Sequence, residues 1–485
     1  MNQSREQAFK TVEKVVIIGG GPGGYEAAIT AAQLGSDVTL ITNEGIGGSA
    51  VLTDVVPSKT LIATAEFATN LQSANQLGVQ LCVPNSTTSE PVTPEVIINL
   101  SAINQRLLKL AEDTSNDMQT ELEELGVKIV AGYGKIIDEH TVSIKSTSDT
   151  ENETSITADI IIIATGATPR TLDSAYPDGE KIFTWKQLYN LEKIPENLIV
   201  IGSGVTGAEF ANAYNALGSN VTLISSRDQV LPGEDEDAAK LIQDLFLSRH
   251  MNLVNNAKAE TVKTTPEGVD VYLADGTIIK GTHCLIAVGS IPNTVNIGLE
   301  NINLETNEQG KIQVNRVGRT SSPNIYAVGD CSTAPPLASV AIMQGRTAVF
   351  HALGDGVKPL NERNIASNIF TQPEIASVGW GQKDIENGTI RGEVNLLPLY
   401  ANPRAKMQGI QEGFIKLIST TTSGTVIGGV IVAPKASELI FSLALAIEHR
   451  LTVDDVASAY SIYPSLSTTI VDAARALHIR KPHEG

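Results

Sequence analysis

The chain opens with apolar runs and a glycine turn in an order that predicts a strand, a turn, a helix and a second strand. Residues 15–18 form an apolar run of strand character, and the glycine-rich residues 19–24 follow directly. The alanine-rich residues 25–34 have the composition of a helix, and Gly35 separates them from a second apolar run at 38–41. This order is typical of the opening of a dinucleotide-binding βαβ unit.

The same pattern occurs again in the middle of the chain. An apolar run at 198–201 leads into the glycine-rich residues 202–207, a helical stretch at 208–217 and another strand at 221–224. Two units this far apart indicate a duplicated domain rather than a short structural repeat. One glycine motif is a weak signal in a chain with 41 glycines, whereas two copies in the same context are specific.

The rest of the pattern predicts a mixed α/β architecture whose C-terminal region differs in character. Polar residues outnumber apolar ones over a predicted helix at 95–124, and the Ser/Thr/Glu-rich residues 145–157 indicate a surface hairpin. The other predicted elements are buried strands that each run into glycine, at 160–163, 285–288 and 325–328, and, beyond about residue 361, strands at 414–417 and 426–432 and helices at 437–450 and 466–477.

Composition and charge exclude several classes of protein. The 485 residues are 42% hydrophobic and 18% charged, which indicates a folded chain rather than a disordered one. No apolar run approaches the roughly 18 residues that span a bilayer, and the polar residues 1–14 lack a signal-peptide core. The net charge of −19 repels nucleic acid and anionic membrane surfaces, so we expect neither as a partner.

The cysteines are few and scattered. Cys82, Cys284 and Cys331 form no CxxC or zinc-ribbon spacing, and no HExxH motif or Cys/His cluster is present, so we expect no metal. Sparse cysteines fit a reducing compartment, and we expect a cytoplasmic protein.

The glycines of each loop have separate roles in holding a dinucleotide. The first allows the tight turn, the second lets the backbone approach a pyrophosphate, and the third lets helix and strand pack closely. The predicted binding residues are therefore Gly19, Gly21 and Gly24 in the first loop and Gly202, Gly204 and Gly207 in the second.

The residues after the second strand of each unit bear on the choice of nucleotide. An acid is expected there for the ribose hydroxyls, but the first unit has Thr42, and Glu44 is the candidate substitute. The second unit has Ser225, Ser226 and Arg227, which favour the 2′-phosphate of NADPH because they donate hydrogen bonds, although NADH remains open.

These and further motifs resemble those of the flavin-dependent pyridine-nucleotide disulfide oxidoreductases of the dihydrolipoamide dehydrogenase-like class, over nearly the whole chain. Besides the glycine loops, the matching motifs are Pro57-Ser58-Lys59, Ala164-Thr165-Gly166, Ala287-Val288-Gly289, Tyr326-Ala327-Val328-Gly329-Asp330, Phe370-Thr371-Gln372-Pro373-Glu374 and Tyr463-Pro464-Ser465. The resemblance implies FAD on the first unit, NAD(P)H on the second and a homodimer.

The resemblance also implies the fold and its division. We expect two Rossmann-like domains and an α+β dimerisation domain. The implied boundaries are an FAD-binding domain at 1–167, an NAD(P)-binding domain at 168–290, a central segment completing the FAD domain at 291–361 and an interface domain at 362–485.

The resemblance assigns roles to single residues. Asp330 matches the aspartate that binds the ribityl chain of FAD, and Lys59 and Glu209 match a buried ion pair beside the flavin. Lys59 would stabilise negative charge on the reduced flavin. Further cofactor contacts implied by the resemblance are Thr165, Gly166 and Gly289 in the motifs above, Gly48 in Gly45-Ile46-Gly47-Gly48, and Ala338 in Leu337-Ala338-Ser339-Val340-Ala341.

The chain departs from the family where the chemistry takes place. The two positions of the redox disulfide hold Ala50 and Val55, and the positions of the C-terminal His and its Glu hold Tyr463 and Thr468. Disulfide exchange needs a thiolate pair and a base, which these positions do not supply. The same double loss is typical of a smaller subgroup that the chain resembles, the actinobacterial NAD(P)H:quinone reductases.

The sequence therefore predicts an FAD-dependent NAD(P)H dehydrogenase that reduces a quinone-type acceptor without a redox disulfide. Lys59, Glu209 and Tyr463 are the predicted catalytic residues, Tyr463 as a wall or hydrogen-bond partner for the acceptor. Two alternatives stay open. One is a transhydrogenase-like flavoprotein with a second nucleotide as acceptor, and the other is a catalytically quiet FAD-binding partner protein.

Overall fold

A computed structural model of the chain describes residues 12–72, 74–79, 97–148 and 153–478. Cys82 lies outside these residues. The helices are α1 Pro22–Gln33, α2 Gly48–Leu52, α3 Val55–Gln72, α4 Leu100–Glu124, α5 Val205–Ala216, α6 Glu236–Ser248, α7 Ala338–Ala352, α8 Gln382–Glu386, α9 Pro403–Met407, α10 Ala436–Glu448, α11 Val453–Ser458 and α12 Thr468–His478.

The strands are β1 Lys14–Ile18, β2 Asp37–Thr42, β3 Lys128–Asp138, β4 Thr141–Ser146, β5 Glu153–Thr157, β6 Ile160–Ile163, β7 Ala167–Pro169, β8 Ile182–Phe183, β9 Asn197–Ile201, β10 Asn220–Ile224, β11 Asn252–Val254, β12 Ala259–Thr264, β13 Val269–Leu273, β14 Ile278–Gly281, β15 His283–Ile286, β16 Ser290–Pro292, β17 Ile325–Ala327, β18 Ala366–Ile369, β19 Glu374–Gly379, β20 Gly392–Pro398, β21 Phe414–Thr420 and β22 Val426–Ala433.

The chain divides into two compact units, each made of three stretches. The first unit comprises Met1–Pro57, Leu108–Thr168 and Ser290–Asn361. The second comprises Ser58–Leu107, Pro169–Gly289 and Glu362–Gly485. The division into four domains made from the sequence stays a prediction.

The first unit is built on a seven-stranded sheet in the order β17-β6-β1-β2-β3-β4-β5. The strands from β17 to β3 are parallel, and β3, β4 and β5 continue the sheet as antiparallel neighbours. Successive side chains of a strand point to opposite faces of the sheet. Val15 and Ile17 accordingly join one buried cluster together with the alanines of α1, whereas Val16 and Ile18 join another. Both faces are covered, which explains the uninterrupted apolar runs in the sequence.

The second unit contains the duplicated fold and the C-terminal sheet. A five-stranded parallel sheet has the order β11-β10-β9-β15-β8, with α5 between β9 and β10. A three-stranded antiparallel sheet, β12-β13-β14, is inserted before β15. The C-terminal residues form an antiparallel sheet in the order β18-β19-β22-β21-β20, on which α10 and α12 share an apolar cluster.

The predicted elements agree with this structure apart from their ends. The Ser/Thr/Glu-rich hairpin is confirmed by the antiparallel pairing of β4 with β5. The helix predicted at 95–124 begins at Leu100, since the Asn99 side chain accepts a hydrogen bond from the Ala102 amide at 3.0 Å and ends the preceding loop. No helix in the described ranges combines the length and the apolar character needed to cross a bilayer.

Candidate functional site

The first glycine loop is shaped by contacts that leave no room for side chains. Gly19 has a φ of +112°, and a Cβ on Gly24 would lie 1.9 Å from the Gly19 carbonyl oxygen. A Cβ on Gly21 would meet no described atom within 4 Å, so the loop is open at this position. Gly21 is also the N-cap of α1, whose first amides point out of the helix. The loop therefore has the form of a cradle for a pyrophosphate.

Other predicted FAD-binding residues of the first unit surround this loop. The ends of β1, β6 and β17 lie side by side in the sheet, and the residues that follow them include Gly19, Thr165 and Asp330. A Cβ on Gly48 would lie 2.8 Å from the Gly21 Cα, which places the start of α2 against the loop. Gly166 has a φ of +66°, a backbone conformation that favours glycine.

Asp330 lies in a short turn that a buried side chain holds in place. The Gly329 amide donates to Gln344 Oε1 at 2.8 Å, and Gln344 belongs to α7, which begins at Ala338. Burial raises the pKa of Asp330, and Lys311 partly opposes this rise. A half-buried carboxylate at the end of a strand is suited to accept hydrogen bonds from the ribityl hydroxyls. The residues present therefore fit FAD.

Thr42 and Glu44 have different environments. The buried Thr42 hydroxyl donates to the Gly45 carbonyl at 3.1 Å and accepts from the Gly45 amide at 3.3 Å, so it closes the loop in which it lies. Glu44 is exposed. The assignment of Glu44 to the ribose stays a prediction.

The second glycine loop repeats the geometry of the first. Gly202 has a φ of +109°, and a Cβ on Gly207 would lie 1.8 Å from the Gly202 carbonyl oxygen. Gly204 is the N-cap of α5, and neither Gly204 nor Gly289 would bring a Cβ within 4 Å of a described atom. This loop too fits a pyrophosphate.

The residues after β10 divide into buried and exposed ones. Ser225 is fully buried and accepts from Ser203 Oγ at 2.7 Å and from the Arg227 amide at 3.1 Å, so it shapes the turn. Ser226 and Arg227 are exposed beyond it. Of the residues expected to donate to a 2′-phosphate, Ser226 and Arg227 are therefore available, and Ser225 is structural.

Lys59 and Glu209 form the predicted ion pair, and both lie in the second unit. Lys59 Nζ donates to Glu209 Oε2 at 2.6 Å, and the side chains are 27% and 4% exposed. Glu209 Oε1 accepts from the Phe370 amide at 2.8 Å, and the ammonium lies 4.9 Å from the centre of the Phe370 ring. The carboxylate and the ring together fix the ammonium. From the sequence, Phe370 was recognised only as part of a family motif, and its contact with Lys59 was not predicted.

The positions that replace the family's catalytic groups lie in α2, at the start of α3 and around the start of α12. Ala50 lies within α2 and Val55 begins α3, one turn before Lys59 on the same helix. Tyr463 is 74% exposed. The Thr468 hydroxyl donates to the Ser465 carbonyl, so Thr468 holds the turn before α12.

The two cysteines that the structure describes are free and buried. Burial is the main cause that raises the thiol pKa of both Cys284 and Cys331. Neither is poised to act as a thiolate. Within the described ranges, no group of three or more His, Cys, Asp or Glu side chains is arranged to hold a metal ion.

Two buried polar residues were missed from the sequence. Gln344 supports the Asp330 turn, and Lys416 lies on β21 inside the C-terminal sheet. A lysine within the apolar run of residues 414–418 is the signal that could have identified Lys416, because a lysine inside a buried strand needs a partner.

The fold and the two loops define an α/β protein that binds two dinucleotides. The sequence pattern of the pyridine nucleotide-disulphide oxidoreductases matches residues 13–345, and that of the family's dimerisation domain matches residues 365–474. The chain belongs to the pyridine nucleotide-disulphide oxidoreductase family. Members of the family use FAD and NAD(P)H.

Relatives span nearly the whole chain. An NAD(P)H dehydrogenase (quinone) of Mycobacterium tuberculosis is 45% identical, with coverage of 96% of this chain and 94% of the relative. Dihydrolipoyl dehydrogenase 2 of Haloarcula marismortui is 31% identical, with coverage of 96% and 97%. The crystal structure of LpdA from Mycobacterium tuberculosis superposes with a TM-score of 0.91 at 44% identity, covering 96% of this chain and 100% of that one. The expected family and fold class are confirmed.

Proposed function

We propose that this chain is an FAD-dependent NAD(P)H dehydrogenase that reduces a quinone-type acceptor without a redox disulfide. The observation that carries the proposal is the combination of two intact dinucleotide cradles and the Lys59–Glu209 pair with Ala50 and Val55 at the disulfide positions. The 45% identical relative named NAD(P)H dehydrogenase (quinone) supports the same activity.

The two glycine loops would divide the nucleotides between them. Gly19, Gly21 and Gly24 would hold FAD with Asp330, and Gly202, Gly204 and Gly207 would hold NAD(P)H with Ser226 and Arg227. Bound FAD supplies a centre that takes up a hydride and passes two electrons on. The exposed Arg227 supports a preference for NADPH, since a guanidinium binds a phosphate with two hydrogen bonds.

Lys59 would act by electrostatics. Among the described residues its ammonium gives one N–H group to Glu209, and it can direct the other two to negative charge that develops beside it. Glu209 and the Phe370 ring hold the ammonium in one place, so little reorganisation is needed when that charge appears.

The acceptor would meet small apolar side chains instead of a thiol pair. Ala50 and Val55 lack a nucleophile, so a flat ring bound beside them would be reduced without a covalent intermediate on the protein. Tyr463 would wall or hydrogen-bond this acceptor from the other subunit of a homodimer. Exposed apolar side chains in the same segment support such a dimer, because Ile462 is 79% exposed and the family's dimerisation domain covers it. A cytoplasmic location is part of the proposal.

The test is an acceptor screen on the reduced enzyme. The FAD-containing protein is reduced without oxygen by one equivalent of NADPH or NADH, and 2-methyl-1,4-naphthoquinone, lipoamide or a second nicotinamide nucleotide is then added. We expect loss of flavin absorbance with NADPH and rapid return with the naphthoquinone. A variant with Cys82, Cys284 and Cys331 all replaced by Ala should behave in the same way.

Other outcomes contradict the proposal in distinguishable ways. Comparable turnover with lipoamide would contradict the thiol-free route. Return of colour only with a second nucleotide would identify a transhydrogenase, and no bleaching by either nucleotide would leave a quiet FAD-binding protein.

A further inference from the structure

A buried lysine of the C-terminal sheet is bound to the start of a helix in the second dinucleotide-binding fold, and both belong to the second unit. Lys416 is 1% exposed. Its Nζ donates to the two carboxylate oxygens of Asp235 at 2.9 and 2.8 Å, to Asp237 Oδ2 at 2.6 Å and to Gln382 Oε1 at 2.8 Å. A lysine this deeply buried is rare unless it is fully paired. The proposed function leaves this cluster without a role.

Asp235 connects Lys416 to the start of α6. It is the N-cap of that helix, and its Oδ1 accepts from the Ala238 amide at 3.3 Å. Gln243 of the same helix accepts from the Val230 amide at 3.2 Å. Lys416 thus fixes the start of a helix whose side chain holds the loop that follows β10.

That loop is tied to the second glycine loop at Leu231. The Leu231 amide donates to the Ser203 carbonyl at 2.8 Å, and Ser203 lies between Gly202 and Gly204. Leu231 is 1% exposed and has a φ of +53°, in the left-handed region that a leucine rarely adopts. Such a conformation persists only where its surroundings hold it.

We propose that Lys416 is a positioning residue for the nicotinamide nucleotide. Through Asp235 it holds the segment of residues 231–235, which keeps Leu231 in its left-handed conformation and against Ser203 of the phosphate-binding loop. The same segment follows Ser226 and Arg227, so the constraint also acts on the residues proposed to select NADPH. The inference rests on the proposal that the second glycine loop binds NAD(P)H.

The test compares Lys416→Met with Lys240→Met in the FAD-containing enzyme. Lys240 pairs with Asp244 on the surface of the same helix, so its substitution is a matched control. For Lys416→Met we expect binding of NADP⁺ to weaken by about tenfold, because the loop is no longer held in its binding conformation. The KM for NADPH should rise in parallel, while kcat at saturating NADPH and the FAD content stay unchanged. The control should match the wild type.

A lower unfolding temperature of Lys416→Met with unchanged affinity for NADP⁺ would overturn the inference, since the lysine would then be only structural. If Lys416→Met does not fold, Asp235→Asn decides, because the amide oxygen keeps the helix cap while the substitution removes the charged partner through which Lys416 holds the segment, and Asp237 stays paired with the lysine. It should weaken NADP⁺ binding by about threefold, and no change would overturn the inference. If the wild type itself fails to bind NADP⁺ and NADPH, the proposed function fails instead.

The route through Leu231 can be tested by a double-mutant cycle. Glycine adopts a positive φ freely, so a Leu231→Gly enzyme needs less restraint at this position. We expect Lys416→Met to weaken NADP⁺ binding by only about threefold in that background. The full tenfold effect in both backgrounds would show that Lys416 does not act through Leu231.

Discussion

The two dinucleotide-binding folds share the backbone geometry of their glycine loops. They differ in the environment of the glutamate that lies two residues after the last glycine of each loop. The Cβ positions of Gly24 and Gly207 would lie 1.9 and 1.8 Å from the carbonyl oxygen of the first glycine in each loop. Glu26 and Glu209 each follow the last glycine at the same distance in sequence. Glu26 pairs with the half-exposed Arg346, whereas Glu209 is buried with Lys59. Duplication has thus kept the phosphate cradle and changed the use of the neighbouring carboxylate.

The largest expected effect separates the ligands of the two loops. Gly24→Ala should abolish retention of FAD, because the new Cβ would collide with a backbone carbonyl. Gly207→Ala should leave the protein yellow and abolish binding of NADP⁺. Visible absorbance of the purified variants and a nucleotide titration measure the two outcomes. Loss of FAD from both variants would contradict the division of ligands.

The second-largest expected effect compares how much the ion pairs of Glu209 and Glu26 contribute to the free energy of unfolding. Lys59→Met should lower the free energy of unfolding by about 3 kcal/mol, since it leaves the Glu209 carboxylate buried without its cation. Arg346→Met, the control, should cost less than about 1 kcal/mol because its pair is partly exposed. Denaturant unfolding of the FAD-containing variants measures both values, and equal values would mean that burial does not distinguish the pairs.

The same Lys59→Met variant also tests whether this ion pair contributes to catalysis and the pair of Arg346 does not. Flavin reduction by NADPH should slow by at least about tenfold while FAD is retained, because the ammonium no longer stabilises negative charge. An Arg346→Met enzyme should be reduced at the wild-type rate. A wild-type rate in both would remove Lys59 from the mechanism.

A smaller effect concerns the residues that follow the second strand of each fold. Arg227→Gln should raise the KM for NADPH by about tenfold, which corresponds to roughly 1.4 kcal/mol, and leave that for NADH unchanged. The physical reason is the loss of a charged hydrogen-bond donor for the 2′-phosphate. Steady-state kinetics with both nucleotides measure the two KM values. An equal rise in the KM for NADH would show that Arg227 does not select the 2′-phosphate.

The smallest expected effect appears when FAD is removed. Burial raises the pKa of Asp330 above its value in the unfolded chain, so its ionised form destabilises the folded protein. The penalty is full above the folded pKa, decreases as the pH falls, and vanishes below the unfolded pKa. FAD-free Asp330→Asn should therefore be more stable than the FAD-free wild type at neutral pH and equal to it in acid. Thermal unfolding across pH measures this, and a pH-independent difference would assign the effect to another cause.

What the sequence revealed depended on the range of each interaction. The strands, the glycine loops and α1 follow from neighbouring residues, and they were predicted to within a few residues. Lys59 and Glu209 are 150 positions apart, and only the family resemblance paired them. Lys416 and Asp235 are 181 positions apart and belong to no quoted motif, so their contact emerged only from the structure. Thr42 donates a hydrogen bond to the Gly45 carbonyl and accepts one from the Gly45 amide. These contacts likewise depend on the geometry of the loop and could not be predicted from the position of Thr42 in a sequence pattern.

The burial of Cys284 and Cys331 has a consequence for the conditions under which such an enzyme works. Peroxides, hypochlorite and alkylating electrophiles attack exposed thiolates, and these two thiols are neither exposed nor readily ionised. A relative that passes electrons through a dithiol stops when that dithiol is oxidised or capped. On the proposed thiol-free route, electron flow would continue under the same attack, so oxidative stress is a condition in which that route would retain its capacity.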